Sequence, residues 1–209
     1  MAVIGLVHGL GGTAATMAPL ADALVAVGHE VRSVTLPGHG TDPEDLVGVG
    51  WTDWLGAVPH ADVLVGQSMG ATLALTVAAV NHHVQLVVAI NPPVADEDVL
   101  EGLQWRQSRG HDWVDGPELG DGEIGYTRFP ITALIEMVEG VHALDLDAVT
   151  TPVLLVRGAL DDSVDPMSFD VIAENLGGPV VRLELPGSGH VATLGPDLPL
   201  LTATILDLL

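Results

Sequence analysis

The residues best suited to catalysis surround Ser68. A short apolar run ends in Gly66-Gln67-Ser68-Met69-Gly70, and an Ala- and Leu-rich pattern of helical type follows at once. This pattern predicts a strand, a sharp turn and a helix, with Ser68 exposed beside a helix N-terminus that favours developing negative charge. A turn this tight requires residues without side chains two positions before and after its centre, and both are glycine. An ordinary glycine turn containing a serine is the alternative, because the five-residue pattern alone also occurs by chance.

A base and an acid for this serine follow two later predicted strands. Asp161 comes after the apolar run 152–156, and His190 comes after the run 180–185. The carboxyl ends of parallel strands meet at one edge of a sheet, so we expect both side chains near Ser68. A serine hydroxyl is a weak nucleophile at neutral pH. His190 would accept its proton, and Asp161 would orient the imidazole and stabilise its cation.

Two backbone N–H groups are predicted to bind a developing oxyanion. The N–H of Met69 is placed for this by the turn, and the N–H of Leu10 lies in the glycine-rich loop after the first predicted strand. Together with Ser68, these groups would form an acyl-transfer site.

Other acidic and imidazole side chains compete for roles in the site. Asp162 is the neighbouring alternative to Asp161, whereas Asp165 precedes Pro166 and is better suited to capping a helix. This Asp-rich stretch lacks the glycine and the glutamate of an EF-hand, so we reject a calcium loop. Further histidines have weaker claims: His8 and His39 are interpreted as stabilising their loops, and the adjacent His82 and His83 as a poor metal pair, because neighbouring side chains share no face.

The rest of the chain alternates strands and helices. Apolar runs predict strands at 3–7, 30–36, 84–90, 152–156 and 180–185, with a further one from 61 to the glycine turn. A helix is predicted from near Thr16 to Gly28, with Leu20, Leu24 and Val27 facing the core. The pattern predicts an α/β fold for a single domain, residues 1–209, built on a mostly parallel sheet of about six strands with helices on both faces.

Residues 94–149 interrupt this alternation and are predicted to form a small helical cap. Helices are expected at 97–107 and 131–141, with a Gly- and Asp-rich stretch at 110–125 between them. Apolar residues recur at helical spacing in this segment: Leu100, Leu103, Ile131, Leu134, Ile135 and Val138. Helix packing explains such a stripe by default, and the sharper hypothesis is that some of these residues line a pocket for an acyl chain. A solvated helical layer without a binding role would give the same pattern.

Five motifs together resemble the α/β-hydrolase superfamily, and within it the small bacterial carboxylesterases and monoacylglycerol lipases. They are the runs 7–12 (Val-His-Gly-Leu-Gly-Gly), 36–40 (Leu-Pro-Gly-His-Gly), 66–70, 158–166 and 187–190 (Gly-Ser-Gly-His). The resemblance implies the α/β-hydrolase fold, a triad of Ser68, Asp161 and His190, an oxyanion hole from Leu10 and Met69, a cap that shapes the acyl pocket, and no cofactor. The spacing from 161 to 166 matches the family with Asp161 as the acid.

Two features depart from the family pattern. The chain begins at the strand before the oxyanion loop, without the two antiparallel strands that open many members, and the crossover 51–60 is short. We therefore expect a minimal sheet, one edge of which a partner chain could cover, so a homo-oligomer stays open.

Composition excludes several classes of function. The 209 residues include no cysteine, which rules out disulfides, thiolate metal sites and a cysteine nucleophile. Six Lys+Arg stand against 28 Asp+Glu, a formal net charge of −22 that repels nucleic acid and anionic lipid. No run reaches the roughly 20 apolar residues that span a bilayer, and the apolar start lacks a basic leader. We expect a cytoplasmic protein without a nucleic-acid partner, metal or stable membrane insertion.

These observations favour a serine hydrolase of carboxylic esters. The expected substrate is a small-molecule acyl ester with a short to medium chain, and monoacylglycerols are the best-fitting class. The same groups support thioester, amide or C–C bond hydrolysis and cofactor-free perhydrolysis, because fold and triad do not choose among them. An acyltransferase would use the same residues, and so would a ligand-binding receptor that retains the triad.

Overall fold

A parallel sheet forms the centre of the computed structural model, which describes residues 1–120 and 123–209. Asp121 and Gly122, part of the predicted Gly- and Asp-rich stretch, lie outside the described residues. The strands are β1 (Val3–Val7), β2 (Glu30–Val34), β3 (Val63–Gln67), β4 (Leu86–Ile90), β5 (Trp113–Asp115), β6 (Arg128–Pro130), β7 (Val153–Gly158) and β8 (Val180–Leu185). Six of them form one sheet in the order β2-β1-β3-β4-β7-β8, with every pair parallel. The predicted sheet of about six strands is confirmed.

Helices cover both faces of this sheet. In the described part of the chain they are α1 (Ala18–Ala26), α2 (Trp51–Gly56), α3 (Met69–Val80), α4 (Glu97–Ser108), α5 (Ile131–His142), α6 (Met167–Asn175) and α7 (Leu198–Leu208). Because side chains alternate across a strand, Val63 and Val65 pack with α1 and α7 on one face, whereas Leu64 packs with α3 and α6 on the other. Together with a third cluster, which includes Val7, Trp54 and Phe129, these clusters of buried side chains form the core. The helices on both faces are as predicted.

The strand order reverses direction between β1 and β3. The chain passes from β1 to its neighbour β2 and then returns to place β3 on the other side of β1. Loops that leave such adjacent strands in opposite directions open a crevice at the carboxyl edge, where ligands bind in open α/β sheets. The loop after β1 contains Leu10, and the turn after β3 contains Ser68, so the topology brings together the two loops on which the predicted oxyanion site depends.

The first helix differs in detail from its prediction. A 3-10 helix, Ala14–Met17, precedes α1, and its N-cap is Thr13, whose hydroxyl accepts from the Ala15 N–H. Thr16 instead donates its own hydroxyl to the Thr13 carbonyl. Leu20 and Leu24 are buried as predicted, but Val27 is 56% exposed because the helix ends at Ala26 and the chain turns at Gly28, where φ is +96°.

The segment 94–149 contains a hairpin in addition to its two predicted helices. Strands β5 and β6 pair antiparallel, with Val114 opposite Phe129. Each has three residues, too few for the two-residue alternation that identifies a strand in a sequence. Helices α4 and α5 lie within a residue of their predicted bounds. The single-domain organisation and the role of this segment as a cap stay predictions.

Candidate active site

Ser68 lies at the sharp turn between β3 and α3, in a strained backbone conformation. Its φ of 54° and ψ of −124° are rarely adopted by a residue with a side chain. Backbone hydrogen bonds hold Ser68 in this conformation. Its N–H donates to the Ile90 carbonyl at 2.8 Å, and its carbonyl accepts from the Ala71 N–H at 2.9 Å. A Cβ at Gly66 would collide with the Gly70 carbonyl. The predicted turn, with its two glycines, is therefore present.

His190 and Asp161 are hydrogen-bonded to each other. The Nδ1 atom of His190 lies 3.0 Å from both carboxylate oxygens of Asp161, whose side chain is 5% exposed. Burial of this carboxyl raises its pKa, but bonds from His190 and from the Ser163 and Val164 N–H groups outweigh that effect and hold the pKa below its ordinary value. An ionised Asp161 accepts a hydrogen bond from the Nδ1–H group, which leaves the lone pair on Nε2 of His190 free to act as a base.

The neighbouring aspartates have other environments. Asp162 is exposed and contacts only the Ser163 hydroxyl, at 3.4 Å, among the bonds of the described residues. Asp165 accepts from the Met167 N–H at 2.8 Å, at the start of α6, as predicted for a helix cap. Of the two rivals for the acid position, the structure therefore brings Asp161 to the histidine.

The loop after β1 lies directly against Ser68. A Cβ built on Gly9 would lie 3.0 Å from the Ser68 Cβ and 3.6 Å from its Oγ, so a side chain here would crowd the hydroxyl. Leu10 follows Gly9 and shares a pocket with Ser68 and His190, and Met69 is the buried first residue of α3. Within residues 1–120 and 123–209, neither the Leu10 nor the Met69 N–H donates to another protein group. Both donors are thus available to a ligand.

Two buried histidine side chains lie beside the loop after β1. His8 Nε2 accepts from the Leu36 N–H at 3.0 Å, so its Nδ1 carries the proton and donates to the Gly9 carbonyl at 2.7 Å. Burial lowers the pKa of His8 to about 4, so the ring is neutral. His8 and His39 lie edge to face, 5.0 Å apart. The Nδ1 atom of His39 lies 2.9 Å from the Pro37 carbonyl, so both rings contact the loop backbones, and their stabilising role stays a prediction.

Tyr126 was missed by the sequence reasoning. Its N–H donates to the Gly11 carbonyl at 3.0 Å, and its hydroxyl donates to the Gly38 carbonyl at 3.0 Å. It therefore fastens the segment 94–149 to the two loops that follow β1 and β2. An isolated tyrosine in a glycine-rich stretch carries no signal of such a role, since both partners are distant in the chain.

The pocket beside Ser68 is small and partly apolar. It has a volume of about 100 Å³ and is lined by the loop after β1, by Gln67, Ser68 and His190, and by residues from the hairpin region: Pro117, Leu119, Glu123, Ile124, Gly125, Tyr126 and Phe129. The apolar stripe predicted on the cap helices is absent from this described lining. Leu134 instead packs in the cluster beneath Tyr126 and Phe129. Leu134 on α5 thus supports the pocket wall, which is formed by the hairpin region, meaning β5, β6 and the described residues between them.

Features that would indicate a metal ion or a membrane are missing from the described residues. No group of three or more His, Asp or Glu side chains in ranges 1–120 and 123–209 is arranged to hold a metal ion. No helix of those ranges combines the length and the apolar character that crossing a bilayer demands.

The fold and this arrangement of loops are those of the α/β-hydrolases. The model of the family described as "Alpha/beta hydrolase family" matches residues 6–200, and the chain belongs to that family. Among characterised relatives, the thermostable monoacylglycerol lipase of Bacillus sp. (strain H-257) is 30% identical over 226 residues, covering 97% of this chain and 88% of the lipase. The resemblance drawn from the five motifs, and with it the prediction of a hydrolase, is confirmed.

Solved structures show the same fold. A structure from a report on LipS and LipT, two metagenome-derived lipolytic enzymes, superposes with a TM-score of 0.88 at 23% identity, covering 99% of this chain and 91% of that one. The monoacylglycerol lipase of Paleococcus ferrophilus superposes with a TM-score of 0.74 at 19% identity, covering 98% and 92%. The described chain thus spans nearly the whole length of these proteins.

Proposed function

We propose that this protein is a serine hydrolase of short- to medium-chain carboxylic esters, with monoacylglycerols as the best-fitting class. The observation that carries the proposal is that His190, hydrogen-bonded to Asp161, lines the same pocket as the strained Ser68. The pocket volume of about 100 Å³ supports a small acyl group, and the name of the 30% identical relative supports the monoacylglycerol class.

The proposed reaction proceeds through an acyl-enzyme. Ser68 Oγ attacks the ester carbonyl while Nε2 of His190 takes the hydroxyl proton, and Asp161 stabilises the resulting imidazolium. The N–H groups of Leu10 and Met69 bind the oxyanion of the tetrahedral intermediate. The C–O bond to the alcohol then breaks, and His190 returns the proton to the leaving oxygen. A water molecule, deprotonated by His190, releases the acid by the same steps.

Hydrolysis of p-nitrophenyl esters of graded chain length and of a monoacylglycerol tests the proposal. Ser68→Ala and His190→Ala should each lower kcat by about 10⁴-fold or more, because nucleophile and base act as one unit. Ser33→Ala and His82→Ala, both exposed and remote from the pocket, are matched controls that should turn over like the wild type. A folded wild type that hydrolyses no ester, or a Ser68→Ala variant as active as the wild type, would refute the mechanism.

A phosphonate separates this enzyme from a receptor that retains the triad. Stoichiometric labelling of Ser68 fits either protein, whereas many turnovers of an ester fit only the enzyme. Ester product formed with an added alcohol, in preference to the free acid, would instead identify an acyltransferase.

A further inference from the structure

Asn91, the first residue after β4, is the second described residue other than glycine with a positive φ. Its φ is 48°, and its side chain is almost completely buried, with 3% of the residue exposed. It stands at the carboxyl edge between β3, which leads to Ser68, and β7, which leads to Asp161. In the sequence this position is marked only by following the predicted strand 84–90 and preceding Pro92-Pro93.

The Asn91 amide bridges the loops that carry the acid and the base. Its Nδ2 donates to the His190 carbonyl at 2.7 Å and to the Gly189 carbonyl at 3.2 Å, while its Oδ1 accepts from the Gly158 N–H at 2.8 Å. The orientation of the amide is determined by these partners, because two are acceptors and one is a donor. All the side-chain hydrogen bonds of Asn91 are therefore made with two backbone segments: the end of β7, which precedes Asp161, and the loop that contains His190.

The same position also contacts the turn of the nucleophile. The Ile90 carbonyl, adjacent to Asn91, accepts from the Ser68 N–H at 2.8 Å, and the Asn91 N–H donates to the Val156 carbonyl at 2.9 Å. The dipeptide 90–91 is thus hydrogen-bonded to the turn of Ser68, to the end of β7 and to the loop of His190. A shift of its backbone would move all three relative to one another.

The loop of Asp161 is incompletely packed by side chains. A cavity of about 150 Å³ lies against it, lined by Asn91, Gly158 and Asp161 among others. The loops of Asp161 and His190 also touch closely, since a Cβ at Gly158 would lie 2.5 Å from the Gly189 carbonyl. Where side-chain packing is incomplete, buried hydrogen bonds define the relative position of two backbones.

We propose that Asn91 is a positioning residue, which holds the loops of Asp161 and His190 in register with Ser68 and acts on the reaction only through them. The proposal rests on the proposed ester hydrolysis for its kinetic consequence, but its structural consequence is independent of any substrate. The competing explanation is that asparagine is present only because it tolerates a positive φ better than other residues with side chains.

Glycine at position 91 distinguishes the two explanations. Asn91→Gly relieves the backbone strain but removes all three side-chain bonds, so a purely conformational role predicts wild-type behaviour. The positioning role predicts a kcat lowered by about 10- to 100-fold with KM changed by less than about threefold, because the alignment of the reacting groups is lost while the pocket is kept. Asn81→Gly, at the exposed end of α3, is the matched control, since Asn81 Oδ1 also accepts one backbone N–H bond.

A second variant keeps the side-chain volume. Asn91→Asp retains the acceptor for the Gly158 N–H and tolerates a positive φ, but it has no donor for the His190 carbonyl. It should lower kcat at least as much as the glycine variant. A native amide spectrum for either variant shows that the fold is kept.

The readout that needs no substrate is the hydrogen bond between His190 and Asp161. In protein labelled with ¹⁵N-histidine, the proton signal of His190 Nδ1–H is assigned by its absence from His190→Ala. The signal should be present in the wild type and in Asn81→Gly, and lost or broadened in both Asn91 variants. An unchanged signal with kcat within twofold of wild type in Asn91→Gly would overturn the proposal. Unfolding of both Asn91 variants would also overturn it, because it would assign Asn91 to the stability of the fold.

The results that would refute the proposed ester hydrolysis differ from those that would refute the positioning role. A wild type that turns over no ester, combined with loss of the His190 signal in the Asn91 variants, would refute ester hydrolysis and support the positioning role. An active wild type, together with an active Asn91→Gly variant and an unchanged His190 signal, would support ester hydrolysis and refute the positioning role.

Discussion

His8 shows how burial beside Ser68 determines which groups can change charge. The ring is fully buried between the loops after β1 and β2, and both of its nitrogens are hydrogen-bonded to backbone groups in the neutral form. Protonation would replace the acceptor at Nε2 with a donor facing the Leu36 N–H. A cationic His8 is therefore incompatible with the loop geometry that places Gly9 and Leu10 against Ser68.

This neutral histidine predicts that acid destabilises the fold. The pKa of His8 is lowered from 6.5 to about 4, so between these values the unfolded chain binds a proton that the folded chain does not. The free energy of unfolding should fall as the pH decreases from 6.5 to 4, by up to about 3 kcal/mol from this residue. Urea unfolding at several pH values between 7 and 4.5 measures the slope.

The matched variants assign that slope to His8. In His8→Gln the free energy of unfolding should decrease less steeply with falling pH, whatever its value at pH 7. Some decrease should remain, because burial also lowers the pKa of the adjoining His39. His82→Gln, at an exposed position, should keep the wild-type slope. Equal slopes in all three proteins would show that His8 is charged in the folded state and that the proposed tautomer is wrong.

At the scale of secondary structure, two parts of segment 94–149 lie differently relative to the pocket. Leu134 on α5 packs in the buried cluster below it, whereas residues of the hairpin region line it. Phe129 on β6 contacts the loop after β1, since a Cβ at Gly11 would lie 2.6 Å from its ring. Leu119 and Ile124, 39% and 57% exposed, line the pocket mouth. Apolar side chains left exposed beside Ser68 are available to bury the apolar chain of a substrate under the proposed function.

Replacing one of them should change the preference for chain length. In Leu119→Ala, kcat/KM for a medium-chain ester should fall roughly fivefold to tenfold, the value of one or two lost methylene contacts, with little change for an acetyl ester. Leu103→Ala on α4 is the matched control, because Leu103 is absent from the described pocket lining, and its chain-length profile should equal that of the wild type. The opposite pattern, with the profile changed by Leu103→Ala alone, would restore the cap helices as the pocket wall.

At the scale of the whole molecule, the dominant feature is the excess of negative charge. Against a formal net charge of −22, Arg32, Arg128, Arg157 and Arg182 each contact a carboxylate at or near the surface. Such pairs contribute about 0–1 kcal/mol each, so the repulsion among the remaining carboxylates dominates. Both edge strands are largely exposed and carry charged side chains, a feature that discourages edge pairing, and the homo-oligomer stays a prediction.

Salt should stabilise this protein. Raising NaCl from about 20 mM to 0.5 M shortens the screening length to a few ångströms and should raise Tm by several degrees, as measured by circular dichroism. In a variant with three exposed carboxylates neutralised, Asp22→Asn, Glu101→Gln and Glu174→Gln, the salt-dependent increase should be smaller. A Tm that falls between low and moderate salt would contradict the dominance of repulsion.

The sequence by itself determined the order of the strands along the chain, the turn at Ser68 and the residues that could act with it. Apolar runs, glycine spacing and strand-exit positions are local patterns, and local patterns determine which elements form. The same reasoning predicted that Asp161, His190 and Leu10 lie near Ser68, because a parallel sheet places every strand exit at one edge.

Only the tertiary structure decided which of these groups meet and what holds them. The bond of His190 to Asp161 rather than Asp162, the clamp by Tyr126, the bridge by Asn91 and the pocket wall at Leu119 all join segments distant in sequence. Such contacts depend on the simultaneous packing of several loops, which no single stretch of residues encodes. The hairpin of β5 and β6 belongs to the same class, since three-residue strands are stabilised by their partners and not by their own sequence.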